Sequence, residues 1–259
     1  HVIAHTGNVE TTRAWDIDGD GHLELVPNTP GGPLVIYKLV TDAEGKGTGE
    51  FTAHTLYPQA QGHGLGFGDV NGNGRGDFIL NNGWLEAPGD PYHDEWVLHR
   101  DFDLGGVVGV PVLVVDVNGN GINDLIAGNG HGYGLDWWEQ RMGDDGTRTW
   151  LRHPIDPFNA QYHDLQWVDL DGDGACELVT GKRYRAHCGN DPGSADDVGI
   201  YYFKRTGESF AKQVIDYGPP GHGKGCGIAF AIADLTGNGR LDLVAPGKDG
   251  LVLYENLGD

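Results

Sequence analysis

Apolar and polar positions alternate along this chain in short runs, and no helical spacing flanks the polar loops between them. Runs 165–170 and 177–180 enclose one such loop, and runs 198–204 and 210–217 follow it. Runs 33–40 and 51–57 follow an earlier loop in the same way. Period-two runs of this length, bounded by glycine-rich turns, are the pattern of short strands. Four strands in about 50 residues, repeated along the chain, predict a β-propeller of four-stranded blades. We label the strands of each blade a to d from the axis outward, with the polar loop joining a to b.

The loops carry the repeat. They begin at Asp16, Asp69, Asp116, Asp169 and Asp234, spaced 53, 47, 53 and 65 residues apart. Each has oxygen-bearing side chains at positions 1, 3 and 5, glycines at 4 and 6, and a carboxylate at 9. The sets are Asp16, Asp18, Asp20 and Glu24; Asp69, Asn71, Asn73 and Asp77; Asp116, Asn118, Asn120 and Asp124; Asp169, Asp171, Asp173 and Glu177; and Asp234, Thr236, Asn238 and Asp242. Hard cations such as Ca²⁺ take six to eight oxygens, which a tight glycine turn can bring together. The acid stands at position 9 rather than 12, so these are not EF-hands. The loops at Asp16 and Asp169, with four carboxylates each, are expected to bind Ca²⁺ most tightly, as a structural ion.

The last repeat supplies runs 228–235, 241–245 and 251–256 and then ends. Residues 1–6 read like the d strand at 51–57, so they are expected to complete the last blade and close the ring. The expected architecture is therefore all-β: a single β-propeller domain over 1–259 with five four-stranded blades. The alternative is a fragment of a seven-bladed propeller.

Composition narrows the partners. With 45 glycines and 13 prolines in 259 residues, long helices are excluded. With 7 Trp, 10 Tyr, 8 Phe and a hydrophobic share of 38%, so is a disordered chain. The longest apolar run, 104–115, is broken by glycines and Pro111 and is too short to span a bilayer. A net charge of −21 repels phosphate backbones and anionic lipid, which argues against nucleic acid and membrane insertion. The chain starts at His1 without an initiator Met or a signal peptide, the expectation being a processed secreted protein or a fragment. Cys176 is expected to be buried on a b strand. Cys188 and Cys226 fall in connections of neighbouring blades, where an extracellular setting would permit a disulfide.

The five loops resemble the FG-GAP/VCBS repeats of Ca²⁺-binding propellers, and the match runs through the whole chain. Segments 62–69 (Gly-His-Gly-Leu-Gly-Phe-Gly-Asp), 162–169 (Tyr-His-Asp-Leu-Gln-Trp-Val-Asp) and 180–193 go further. They are similar to the propeller part of aldos-2-ulose dehydratase-type sugar lyases. That resemblance implies action on oxidised or anhydro sugars with a divalent metal; related propellers include polysaccharide lyases and lectins. The expected setting is secreted or extracellular.

Of 12 histidines, His5, His54, His99 and His153 recur at one place in four d strands, which argues for packing. His63, His131, His163, His187 and His222 do not recur, and all fall in connections on the face opposite the loops. His63, His131 and His163 are candidate ligands of a catalytic metal, Zn²⁺ or another divalent ion. His163 and His187 are candidate acid–base groups, with Lys182, Arg183 and Tyr133 beside a developing anion. Trp84, Tyr162, Arg185, His222 and Lys224 are candidate sugar contacts. The leading expectation is a lyase or dehydratase performing metal-assisted β-elimination on a sugar or uronic-acid-containing substrate. The alternative is a lectin-type propeller that binds carbohydrate without catalysis. A purely adhesive propeller leaves the uneven His, Lys and Arg residues unexplained.

Overall fold

The computed structural model of this protein describes residues 2–258. The chain is all-β, its antiparallel sheets being five blades of the β-propeller type. The one helical element among the described residues is a 3₁₀ turn at Ala186–Gly189. The residues expected to form a single domain gather into two compact units, His1–Gly106 and Val107–Asp259.

The first unit holds two four-stranded meanders. One is β1 (Thr11–Trp15), β2 (Glu24–Asn28), β3 (Leu34–Thr41) and β4 (Gly47–Tyr57); the other is β5 (Gly66–Gly68), β6 (Asp77–Leu80), β7 (Gly83–Glu86) and β8 (Val97–His99). Aromatic rings join them. Trp15 stacks on Phe67 with centroids 5.7 Å apart, and Phe78 lies 5.0 Å from Phe67 and 5.3 Å from Trp96. Gly83 opens β7 at φ 140, and a Cβ there would meet the His99 carbonyl oxygen at 2.1 Å. Only glycine permits that approach.

The second unit holds three sheets. β9 (Leu113–Val115), β10 (Asp124–Gly128), β11 (Leu135–Met142) and β12 (Arg148–Pro154) form the first; β13 (Tyr162–Val168), β14 (Glu177–Lys182), β15 (Val198–Thr206) and β16 (Ser209–Gly218) form the next. β17 (Ala231–Ala233), β18 (Asp242–Gly247) and β19 (Gly250–Tyr254) form the last. Between the first two lie Ile126, Leu135, Trp137, Tyr162, Leu178 and Phe203, and between the last two Val179, Ile200, Cys226, Phe230 and Leu243. Burying such a side chain contributes about 1.5–3 kcal/mol.

The last sheet has three strands among the described residues. Residues 2–6, expected as its fourth, carry no strand assignment, and His1 lies outside the described residues. Val2 is 74% and Ile3 44% exposed, so no apolar burial holds this segment to a ladder.

Strand register makes the blades comparable. The residue after loop position 9 pairs with strand c as Leu25↔Tyr37, Phe78↔Leu85, Leu125↔Trp138, Leu178↔Phe203 and Leu243↔Tyr254. The next residue on strand c is therefore equivalent in all five blades: Lys38, Glu86, Glu139, Lys204 and Glu255.

Candidate functional site

The loops are held by their own side chains. Asp69 accepts hydrogen bonds from the Gly72 N–H through Oδ1 and the Gly74 N–H through Oδ2, each 2.8 Å. Asp16, Asp116, Asp169 and Asp234 do the same in their loops. The position-9 carboxylate fastens the loop to strand c wherever it is aspartate. Asp77 accepts the Val70 and Ala87 N–H groups at 2.9 Å each, and Asp242 accepts those of Leu235 and Asn256. Asp124 accepts the Gln140 N–H at 2.8 Å. Burial pushes the Asp77 carboxyl up to about 6 in spite of its two donors.

Glutamate at position 9 is one methylene longer and behaves differently. Glu24 and Glu177 each accept one loop N–H at 2.9 Å, from Ile17 and Leu170. The other oxygen of each lies toward a strand-c ammonium, Lys38 Nζ at 3.5 Å and Lys204 Nζ at 3.8 Å. Lys38 also donates to Asp18, and to Asp20 at 2.7 Å; Lys204 donates to Asp171, and to Asp173 at 2.9 Å. Burial works against the Lys38 charge, but hydrogen bonds to Asp18, Asp20 and Tyr92 outweigh it and hold the ammonium above its ordinary value. Lys38 in turn holds the Asp20 carboxyl down at about 2.

These contacts test the loops as Ca²⁺ sites. At Asp69 and Asp116, oxygens at positions 1, 3 and 5 stand with a strand-c carboxylate: Asn71 donates to Glu86 at 3.0 Å and Asn118 to Glu139 at 3.5 Å. That donor set fits a hard cation. At Asp16 and Asp169 an ammonium already neutralises the oxygens a cation would use. In the same two loops Asp16, Asp18 and Glu24, and Asp169, Asp171 and Glu177, each bring ligand oxygens within 4.8 Å of one another, an arrangement that also fits a cation.

The d-strand histidines pack as expected where they lie in strands. His99 stacks on Trp84 and His153 on Trp137, each at 4.4 Å, and His54 packs 4.5 Å from Tyr92. His5 lies in the segment without a strand.

The predicted site residues are divided between the two units. In the first unit, His63 Nε2 lies 3.3 Å from Glu10 Oε2. Trp84, expected to contact sugar, is 1% exposed and donates from its indole to Asp101, because its place on β7 faces the core. In the second unit, Tyr162 is likewise a core residue, its hydroxyl donating to Asp156 at 2.7 Å. His163 and Lys182 are fully buried. Burial lowers the Lys182 pKa, and its Nζ lies 3.5 Å from Gln161 Oε1. Lys224 is also buried, bound to Asp249 and to the Gly250 carbonyl at 2.9 Å. Burial thus takes Trp84, Tyr162 and Lys224 away from the direct sugar contact expected of them. His222 and Arg185 are exposed. Arg183 and Tyr184 line a cavity of about 430 Å³ with Lys248, whose Nζ donates to the Arg185 carbonyl at 2.7 Å. All three cysteines are free: Cys188 is exposed, Cys176 half-buried and Cys226 buried, so the Cys188–Cys226 disulfide is not formed.

One cluster lies in the loops of the second unit. His131 Nδ1 and His187 Nδ1 are 3.1 Å apart, and each lies 2.9 Å from a different oxygen of Asp191. The His163 ring centroid is 6.1 Å from that of His131. The exposed Tyr133 donates to Asp196 at 2.7 Å, and the exposed Tyr217 bonds the adjacent Asp197, which raises its phenol pKa. Sequence reasoning missed Asp191, Asp196 and Asp197. Their signal was the length of the connection between β14 and β15.

Residues 16–80 match the family model described as the FG-GAP-like repeat. No curated protein matches the chain. Among solved structures, it is similar to a lectin of Agrocybe aegerita described for specific recognition of non-reducing terminal N-acetylglucosamine. The identity is 19%, the TM-score 0.53, and the match covers 96% of this chain but 63% of the lectin chain. This chain thus spans less than two thirds of that protein's length, and at this identity the likeness is one of fold.

Proposed function

We propose that this protein is a carbohydrate-binding propeller that holds a neutral terminal sugar at the loop cluster of its second unit. The observation that carries the reading is the pairing of two exposed tyrosines with consecutive aspartates, Tyr133 with Asp196 and Tyr217 with Asp197. Aromatic faces stack on the apolar faces of sugars, and carboxylates accept their hydroxyls. A net charge of −21 disfavours polyanionic glycans, so the uronic-acid substrates expected from sequence fit less well than a neutral sugar. The fold likeness to an N-acetylglucosamine lectin supports the same class. Elimination has less support, since His163 and Lys182, its candidate base and anion stabiliser, are both fully buried.

Titration calorimetry with N-acetylglucosamine and a panel of neutral glycans tests this. Wild-type protein should bind at least one terminal sugar, and Tyr133→Ala and Asp196→Ala should each weaken it about tenfold or more. Failure to bind any neutral glycan, or undiminished binding by both variants, would overturn it.

A further inference from the structure

With Asp191 ionised, protons cannot satisfy all the contacts among His131, His187 and Asp191. The three side chains each place one ligand atom within 4.8 Å of the others, and all three pairs are in close contact: 3.1 Å between the two Nδ1 atoms and 2.9 Å from each to the carboxylate. If both Nδ1 atoms carry hydrogen and donate to Asp191, two N–H groups crowd each other at 3.1 Å. If one Nδ1 donates to the other, the accepting lone pair faces a carboxylate oxygen. Each arrangement leaves one repulsive contact, and a central cation relieves all three.

We propose that His131, His187 and Asp191 form a binding site for a borderline divalent metal ion of the zinc class. Two imidazole nitrogens and one carboxylate oxygen are the donor set such an ion takes, with water at the open position. Ligand atoms around tetrahedral zinc stand about 3.3 Å apart, so the trio needs to open by only a few tenths of an ångström. The side chains of His131 and Asp191 are each 11% exposed and that of His187 is 57% exposed, which leaves the open position facing solvent. His187 and Cys188 hold left-handed backbone, φ 43 and φ 58, that brings the imidazole back over Asp191. Backbone of that kind costs about 1–3 kcal/mol per residue and persists where surrounding contacts enforce it.

The test is metal titration of chelator-stripped full-length protein in the absence of sugar, followed by calorimetry with Zn²⁺ and by visible absorption with Co²⁺. We expect one tight equivalent of Zn²⁺, resistant to excess Ca²⁺, and the visible d–d bands of four-coordinate Co²⁺. Asp191→Asn and His187→Ala should each weaken binding about 100-fold or more while thermal melts show an intact fold. Cys188→Ala, next to His187, should bind as wild type. Absence of a stoichiometric site, wild-type affinity in both ligand variants, or loss of the site in Cys188→Ala would each overturn the proposal. No sugar enters the assay, so its outcome is independent of the carbohydrate reading.

Discussion

His153 lies on the face of Trp137, ring centroids 4.4 Å apart and planes 21° from parallel, while its Nε2 meets Glu139 Oε2 at 2.9 Å. His99, Trp84 and Glu86 repeat the arrangement at 4.4 Å, 17° and 2.8 Å. The histidine thus covers a buried indole with one surface and ties strand d to strand c with its edge. His153→Ala should destabilise the protein by about 1–3 kcal/mol, read as a lower urea midpoint. An unchanged midpoint would show the contact to be incidental.

Lys38 lies against Asp18, Asp20 and Glu24, three carboxylates of the loop expected to bind Ca²⁺. Lys38→Ala leaves those carboxylates facing one another. Its melting temperature should be lower than wild type without Ca²⁺ and should rise more steeply when Ca²⁺ is added. Parallel Ca²⁺ responses in the two proteins would rule out this account of the loop.

Asp77 gives a pH dependence of definite sign. Burial lifts its carboxyl from 3.8 to about 6 in the folded protein. Between those values the native state holds a proton that the unfolded chain has lost. Asp77's contribution is therefore complete below pH about 4 and declines as pH rises through about 6, by about 3 kcal/mol in all. The carboxyl carbon shift of Asp77, followed by NMR, should titrate near 6; a midpoint in the ordinary aspartate range would refute this.

Asp156 has the opposite sign. Burial acts to raise it, but Lys212, Asn159 and Tyr162 hold its carboxyl at about 2. Its stabilisation is present above pH about 4 and is lost as pH falls toward 2. Asp156→Ala deprives the buried Tyr162 hydroxyl, the Lys212 ammonium and the Phe158 N–H of their acceptor. It should cost about 3–5 kcal/mol in chemical denaturation, and a loss below 1 kcal/mol would contradict the network.

The blades and loops were legible in the sequence because both are local: strand alternation and a glycine turn each fit within nine or ten residues. Burial of Trp84 was not, since a strand as short as Gly83–Glu86 gives too few alternations to fix which face is inward, and Tyr162 opens a strand whose first four residues are all buried. Asp191 and Asp196 were missed for another reason. They follow a turn whose backbone at His187 and Cys188 is left-handed, and no periodicity extends through such a segment. Lys38 and Glu86 were visible as residues, but their equivalence appears only once strand register is known.

That equivalence governs how these repeats can be exchanged. A loop with three aspartates and a glutamate always faces lysine on strand c, while one with asparagine or threonine at position 3 and aspartate at 9 faces glutamate. Four carboxylates with one ammonium, or three carboxylates alone, give every blade the same formal charge of three negatives. Grafting the Asp16 loop onto the strand bearing Glu86 would gather five negatives in one turn, and the reverse graft would leave a single one. The smallest piece of this chain that can be moved between blades is therefore the loop together with its third strand, and a loop transplanted alone arrives with the wrong counter-charge.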